Sequence, residues 1–218
     1  VRQRFGKGAV IRTRLLHIAG IGESLIDEKI ADLERQSNPT VGLAAHAGTV
    51  DVRLTAKAED VEQAARMLAD LEAQVRQRLG DWIYGADGES LAGTVLVQLA
   101  TRQQTLAVIE RGLGGTLIQA FSEQGLAFAG GKLLQSEGAG KPLKEEAASY
   151  ALELPADLVL GAELHSRPFA QQLDLVIFGL ERESSFSMAY GGSPQQALDW
   201  AANLALSVLR RELLRGKD

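Results

Sequence analysis

The chain has 218 residues, of which 45% are hydrophobic and 23% charged, with a net charge of −5 and a pI near 5.3. That is room for one large domain or two small ones, each with its own core, and the acidic balance argues against a general binder of nucleic acid or anionic membranes. Cysteine is missing, which excludes disulfides, thiol catalysis, Cys-ligated zinc and iron–sulfur clusters. No apolar run approaches the roughly 18–20 residues of a membrane span and no signal peptide is visible, so the cytoplasm is the expected location. The first residue is Val1 rather than Met, which leads to the expectation of a piece of a longer protein.

Residues 10–18 are β-branched and aliphatic and predict a first strand, turned by Ala19-Gly-Ile-Gly22. Ser24, with Asp27 three residues on, reads as the N-cap of a capping box. Leu25, Ile26, Ile30 and Leu33 form the stripe of that helix, which stops before Asn38-Pro39. Residues 41–45 suggest a short strand. Residues 49–56 alternate cleanly, with Val50, Val52, Leu54 and Ala56 against Thr49, Asp51, Arg53 and Thr55. A long helix over 59–79 carries Val61, Ala64, Ala65, Leu68, Leu71, Val75 and Leu79, and Gly80 stops it. The order β-α-β-β-α predicts a small α+β module, and residues 81–88 read as a short hinge.

Ser90 is placed to cap a helix over 91–101. The stretch Thr105-Leu-Ala-Val-Ile-Glu-Arg-Gly-Leu-Gly-Gly115 follows and reads as a covered strand, a glycine-rich turn and the start of a helix. Such a turn collects free N–H donors, which is where many α/β proteins bind anions or hold a nucleophile. Here Arg111, Gly112 and Leu113 stand where a nucleophile would be expected. Further on come a strand over 126–134, a loop over 136–141 and a helix over 143–153. Strands over 157–162, 173–180 and 183–190 follow, the last two close enough for an antiparallel hairpin. Ser193-Pro194 opens a final helix to 214, with Leu198, Ala201, Ala205, Val208 and Leu209 inward and Arg210, Arg211 and Arg215 near its negative end. The second part is therefore an α/β domain with a mixed sheet.

Three stretches carry a resemblance. They are Gly20-Ile-Gly-Glu-Ser24 with Asn38-Pro-Thr40 and Val52-Arg-Leu-Thr-Ala-Lys57; Leu79-Gly-Asp-Trp-Ile-Tyr-Gly85; and Leu106-Ala-Val-Ile-Glu-Arg-Gly-Leu-Gly-Gly115. In this order and spacing the chain resembles the competence/damage-inducible protein CinA family over essentially its whole length. The resemblance implies a layout: residues 1–8 ending a preceding domain or linker, a KH-like middle domain at 9–84, a hinge at 85–90 and a three-layer α/β domain at 91–218. The family's N-terminal molybdopterin-binding-like domain, associated with ADP-ribose pyrophosphatase activity, is expected to be missing. The C-terminal domain of the family is a nicotinamide-mononucleotide amidohydrolase of pyridine-nucleotide salvage, and family members form dimers.

The family's A-E-S-C-T-G-G motif, aligned on Glu110 and Gly114-Gly115, puts Arg111, Gly112 and Leu113 at its S-C-T positions. Its G-G-V-V-x-Y-S-N-x-x-K pattern, aligned on Gly130-Gly131, puts Gln135 at the Tyr, Ser136 at the Ser, Glu137 at the Asn and Gly140 at the Lys. A one-residue slip brings Lys141 there instead. Its T-G-x-A-G-P loop aligns with Glu163-Leu-His-Ser-Arg-Pro168, where only the proline is kept. The expectation is a degenerate, inactive amidohydrolase domain kept for assembly as a homodimer or for binding a pyridine mononucleotide. An active deamidase and a nucleic-acid-binding KH-like module are the alternatives.

Arg111, Gly114, Gly115, Lys141, His165 and Arg167 are the candidate ligand-binding residues. Arg111 is either a phosphate ligand at the helix start or a structural side chain that caps or pairs with Glu110. His165 and Arg167 are placed on a loop bordering the family's pocket. His17, His46 and His165 lack ligand spacing, so no metal and no cofactor are expected. Gly20-Ile-Gly-Glu-Ser24 puts an acid where a KH loop would meet a phosphate, and Arg12, Arg14 and Arg53 read as a solvated sheet face, which argues against nucleic acid.

Overall fold

Strict alternation in one strand sets up the first of two units. Strand β3 (Thr49–Ala58) turns Val50, Val52, Leu54, Ala56 and Ala58 to one buried face. Strand β1 (Val10–Ala19) runs antiparallel to it along its whole length, from Val10 opposite Ala58 to Ala19 opposite Thr49. Strand β2 (Thr40–His46) pairs with the far side of β3, and β4 (Ile83–Ala86) with the far side of β1. The order β2-β3-β1-β4 is antiparallel throughout. Helices α1 (Glu23–Glu34) and α2 (Val61–Leu79) cover the apolar face with Ile26, Ile30, Leu33, Ala64, Leu68, Leu71, Val75 and Leu79. Asp60 caps α2, its carboxylate accepting from the Gln63 amide at 2.7 Å.

The structure, a computed structural model, describes residues 9–125, 127–135, 140–167, 170–179 and 183–215, with the side chains of 167 and 170 left outside the description. The boundary between the units falls between Glu89 and Ser90. Among the described residues no helix is long and apolar enough to cross a membrane.

Four expectations for the first unit are corrected. The α1 N-cap is Gly22, not Ser24, which lies inside the helix; the cap carries no side-chain bond. Leu25, Val61 and Ala65 are exposed. Val61 is the first residue of α2, and Ala65 lies to the side of the stripe set by Leu68 and Val75. Residues 83–86 are a strand rather than part of a hinge, with Ala86 opposite Leu16 and Ile83 opposite Ile18. Four residues, one of them Gly85, are too short a run for periodicity to reveal. Finally, Arg14 does not lie on a solvated face: its Nε donates to Glu72 of α2 at 3.0 Å and its guanidinium also holds Asp87.

The second unit opens with α3 (Leu91–Thr101), where the Ser90 hydroxyl accepts from the Gly93 amide at 3.0 Å, as expected. Then come β5 (Leu106–Arg111), α4 (Thr116–Ser122), β6 (Phe128–Leu133), α5 (Leu143–Glu153), β7 (Leu158–Arg167), β8 (Ala170–Phe178) and β9 (Ser184–Tyr190). A 3-10 turn (Pro194–Gln196) leads into α6 (Ala197–Arg215). The sheet order is β6-β5-β7-β8-β9, parallel around β5 and antiparallel from β7 onward. It is the mixed sheet the sequence predicts, with the β8–β9 hairpin in place.

All six residues of β5 are buried. On one face Ala107 and Ile109 pack with Val159 and Val176 against Leu143 and Ala147 of α5. On the other lie α4 and α6; the Ser184 hydroxyl, on that face, donates to Glu212 of α6 at 3.1 Å. Helices thus cover both faces. In α6, Leu198 is exposed rather than inward, and Arg210, near the negative end of the helix as expected, is buried. Strand β7 is longer than expected: its register with β8 runs on to Arg167 opposite Ala170, so residues 163–167 are strand rather than loop.

Candidate functional site

Alternation decides the fate of the two charged residues that end β5. Consecutive side chains on a strand leave opposite faces of the sheet, so Glu110 and Arg111 cannot pair with each other. Glu110, fully buried, turns toward α4. Its Oε2 accepts from the Leu117 amide at 3.0 Å and the Ile118 amide at 3.3 Å. The helix-start donors that suggested an anion site are therefore already held by the chain's own carboxyl group. Burial pushes that carboxyl above its ordinary range, and the amides of Leu117, Ile118 and Gly115 offset this only in part.

Arg111 leaves the α5 face and is buried as well. Its Nη1 donates to both oxygens of Glu163 at 3.0 Å, and its Nη2 donates to the Lys141 carbonyl at 3.1 Å. Glu163 is its direct cross-strand partner on β7. The same row continues to Asp174 on β8 and Ser187 on β9. Asp174 accepts from the Ser187 hydroxyl at 2.6 Å and from Gln172 Nε2 at 3.1 Å, and its Oδ2 lies 2.9 Å from His165 Nε2. Burial works against the Asp174 charge, but Ser187, Gln172 and His165 outweigh it and hold the carboxyl below its usual range. A ladder of charged and polar side chains thus crosses four strands at one end of this sheet face.

The ladder is not a nucleophilic triad. Ser187 gives its proton to Asp174, and His165 meets the same carboxylate from another side. A triad needs the imidazole between hydroxyl and acid. Here the acid stands between.

The remaining expected positions fall as follows. Gly112 has φ +76°, and a Cβ there would lie 2.2 Å from the Leu164 carbonyl oxygen, so only glycine fits. Leu113 at the turn apex is completely buried. Gly114 and Gly115 continue the turn at φ +68° and +94°, with Gly115 next to α4. Gln135 is exposed. Gly140 lies against the Arg111 guanidinium, where a Cβ would come within 2.5 Å of Nη2. Lys141 contributes its carbonyl, while its side chain is exposed. His165 is on β7 rather than a loop, and Arg167 is the last residue of that strand. Ser136 and Glu137 lie outside the described residues.

The structure therefore brings Arg111, Gly140, Lys141 and His165 to one end of the sheet with Glu163, and sends Glu110 to the other face. The residues that sequence reasoning missed are Asp174, Gln172 and Ser187. A signal existed: over 172–175 polar Gln172 and Asp174 alternate with Leu173 and Leu175, as residues do in strands. Among the described residues no group of three or more His, Asp or Glu is placed to hold a metal. The Gly20–Ser24 turn keeps the exposed Glu23 in the first turn of α1.

Two outcomes are expected. Glu163→Ala strands the buried Arg111 cation and costs about 3–5 kcal/mol in chemical denaturation, whereas the double replacement Arg111→Met with Glu163→Leu costs less than that single change. Glu110→Gln gains on the parent protein as pH rises. A carboxyl whose folded value is raised holds its proton longer in the folded state, so its stabilising effect is present at low pH. That effect is lost as pH climbs from the ordinary carboxyl range through the raised value. A stability difference that does not change with pH would contradict this.

Comparison with known proteins fits both units. The damage-inducible protein CinA KH domain profile matches residues 13–85, which hold all but the ends of the first four strands and both helices of the first unit. A CinA-like protein of Prochlorococcus marinus is 40% identical over 139 residues, covering 62% of this chain and 32% of that protein. A CinA-like protein of Thermosynechococcus vestitus is 30% identical over 244 residues, covering 97% of this chain and 58% of the relative. This chain therefore spans about a third of the length of the first relative and less than two thirds of the second. A solved competence-damaged protein (CinA) superfamily protein from Enterobacter cloacae overlays 58% of this chain and 95% of its own, at 18% identity and a TM-score of 0.48. With a CinA-specific KH profile on its first unit and CinA-like relatives aligned along nearly all of its length, this chain belongs to the CinA family.

Proposed function

We propose that the second unit is a CinA amidohydrolase scaffold that does not hydrolyse nicotinamide mononucleotide and is kept for assembly. The observation that carries this reading is the buried Arg111–Glu163 pair under Gly140 and Lys141. It fills the sheet end to which the family's hydroxyl, lysine and proline-loop segments align. Amide hydrolysis needs a nucleophile, a base to take its proton, and donors aimed at the oxyanion. At the aligned turn Gly112 offers no side chain and Leu113 only buried methyls. The one hydroxyl on the ladder, Ser187, gives its proton to a carboxylate instead of an imidazole. The backbone donors at α4 serve Glu110.

The same occupation of the α4 amides weakens the nucleotide-binding version of this proposal and favours assembly. The apolar stripes of α2 and α6 are spent inside their own units. Support for a homodimer comes instead from the open edge strand β6, where Leu133 is 61% exposed. The lack of cysteine is consistent with a cytoplasmic protein.

Purified chain incubated with nicotinamide mononucleotide is expected to release no ammonia above the buffer control; steady release would sink the reading. Light scattering at micromolar concentration should give a mass of twice 23.3 kDa, and a monomer at that concentration would remove assembly from it.

A further inference from the structure

In the first unit one histidine is held at both ring nitrogens. His17, on β1, is 9% exposed and stacks on Tyr84 with ring centroids 5.6 Å apart. Its Nδ1 lies 2.7 Å from Asp51 Oδ1 on β3, and its Nε2 lies 2.8 Å from the carbonyl oxygen of Asp87. Both partners are acceptors without a proton to give. A neutral imidazole has a single N–H and leaves its other nitrogen as an acceptor. Only the imidazolium makes both bonds.

Asp87 is the corner where the chain leaves β4, and it holds φ +54°, uncommon for a residue other than glycine. Its contacts explain how it stays there. Its amide donates to the Leu15 carbonyl at 2.9 Å, and one carboxylate oxygen accepts from the Leu15 amide at 3.0 Å. The other oxygen takes Arg14, and the carbonyl takes His17. Of these anchors only the histidine has an ordinary pKa near neutrality.

We propose that His17 is a proton-operated clasp: as an imidazolium it ties the Asp87 corner to β1 and β3, and on losing its Nε2 proton it releases the Asp87 carbonyl. Nδ1 keeps its proton because it faces a carboxylate. The bare Nε2 then opposes the Asp87 carbonyl lone pairs, and that bond is lost. Burial works against charge on His17, but the Asp87 carbonyl and the Asp51 carboxylate outweigh it and raise the ring above its ordinary value.

The other groups around the ring do not supply the switch. Tyr84 on β4 is pushed up to about 12 by burial and by Asp51. Arg14 is raised by its bonds to Glu72 and Asp87. His46 on β2 sits on the second oxygen of Asp51 at 3.0 Å, one carboxylate away from the clasp. The clasp is closed below the ordinary histidine value of about 6.5 and opens as pH rises through the raised one.

The test is a pH titration of the whole chain by nitrogen-15 NMR. At about pH 6.5, where a free imidazole is half charged, more than half of the His17 rings are expected to carry protons on both nitrogens, with closely matched shifts. At higher pH they separate, and the Asp87 and Leu15 amide signals follow the same curve. Asp51→Asn should move that curve to lower pH, and His46→Gln should leave the Asp87 response in place. A His17 ring that is more than half neutral at about pH 6.5 overturns the clasp, as do Asp87 signals that ignore its titration. If Asp51→Asn fails to fold, the parent titration still decides.

Discussion

The constraint on which the second unit depends is that β5 is buried along its entire length while ending in two opposite charges. A buried charge costs several kcal/mol unless a partner or a set of hydrogen bonds compensates it. Alternation forbids the simplest solution, mutual pairing, so each charge must be met on its own face. Glu110 is met by the first amides of α4, which fixes where that helix starts. Arg111 is met by Glu163 and by the Lys141 carbonyl, which fixes the register of β7 against β5 and the approach to α5. Between them Gly112 must pass against the Leu164 backbone, a fit open to no other residue. The geometry of this sheet end is set by electrostatic compensation, and it resembles an active-site turn because such turns use the same helix-start donors.

The direction of the protons separates a binding or structural network from a catalytic one. Around Asp174 the hydroxyl of Ser187 and the amide of Gln172 both donate inward, and His165 Nε2 faces the same carboxylate. A carboxylate that gathers donors in this way is stabilised as an anion. His17 in the first unit shows the converse arrangement, a ring between two acceptors. There the network stabilises a cation, and its strength depends on solvent pH.

The long periodic elements were legible in the residues. Strand β3, helices α1, α2, α3 and α5, and the β8–β9 hairpin follow from runs in which many side chains vote for one period. The Ser90 cap was legible for a local reason, since a hydroxyl three residues before a free amide needs no distant partner. Ser24 had the same local pattern and failed as a cap because the chain enters α1 earlier, at Gly22. The short strand β4 and the far half of β7 were invisible, because each is a strand only through the neighbour it pairs with.

By itself the sequence determined the class of both units, the glycine turn after β5 and the family, since periodicity, turn chemistry and motif spacing are properties of neighbouring residues. It also determined that Arg111, Gly112 and Leu113 stand in that turn without a nucleophile among them. Which charge meets which was decided by tertiary structure alone. Glu163 lies 52 residues from Arg111, and Asp51 lies 34 from His17, in positions set by strand register. Register depends on which faces are buried across whole sheets, and no local reading of residues 105–115 contains it.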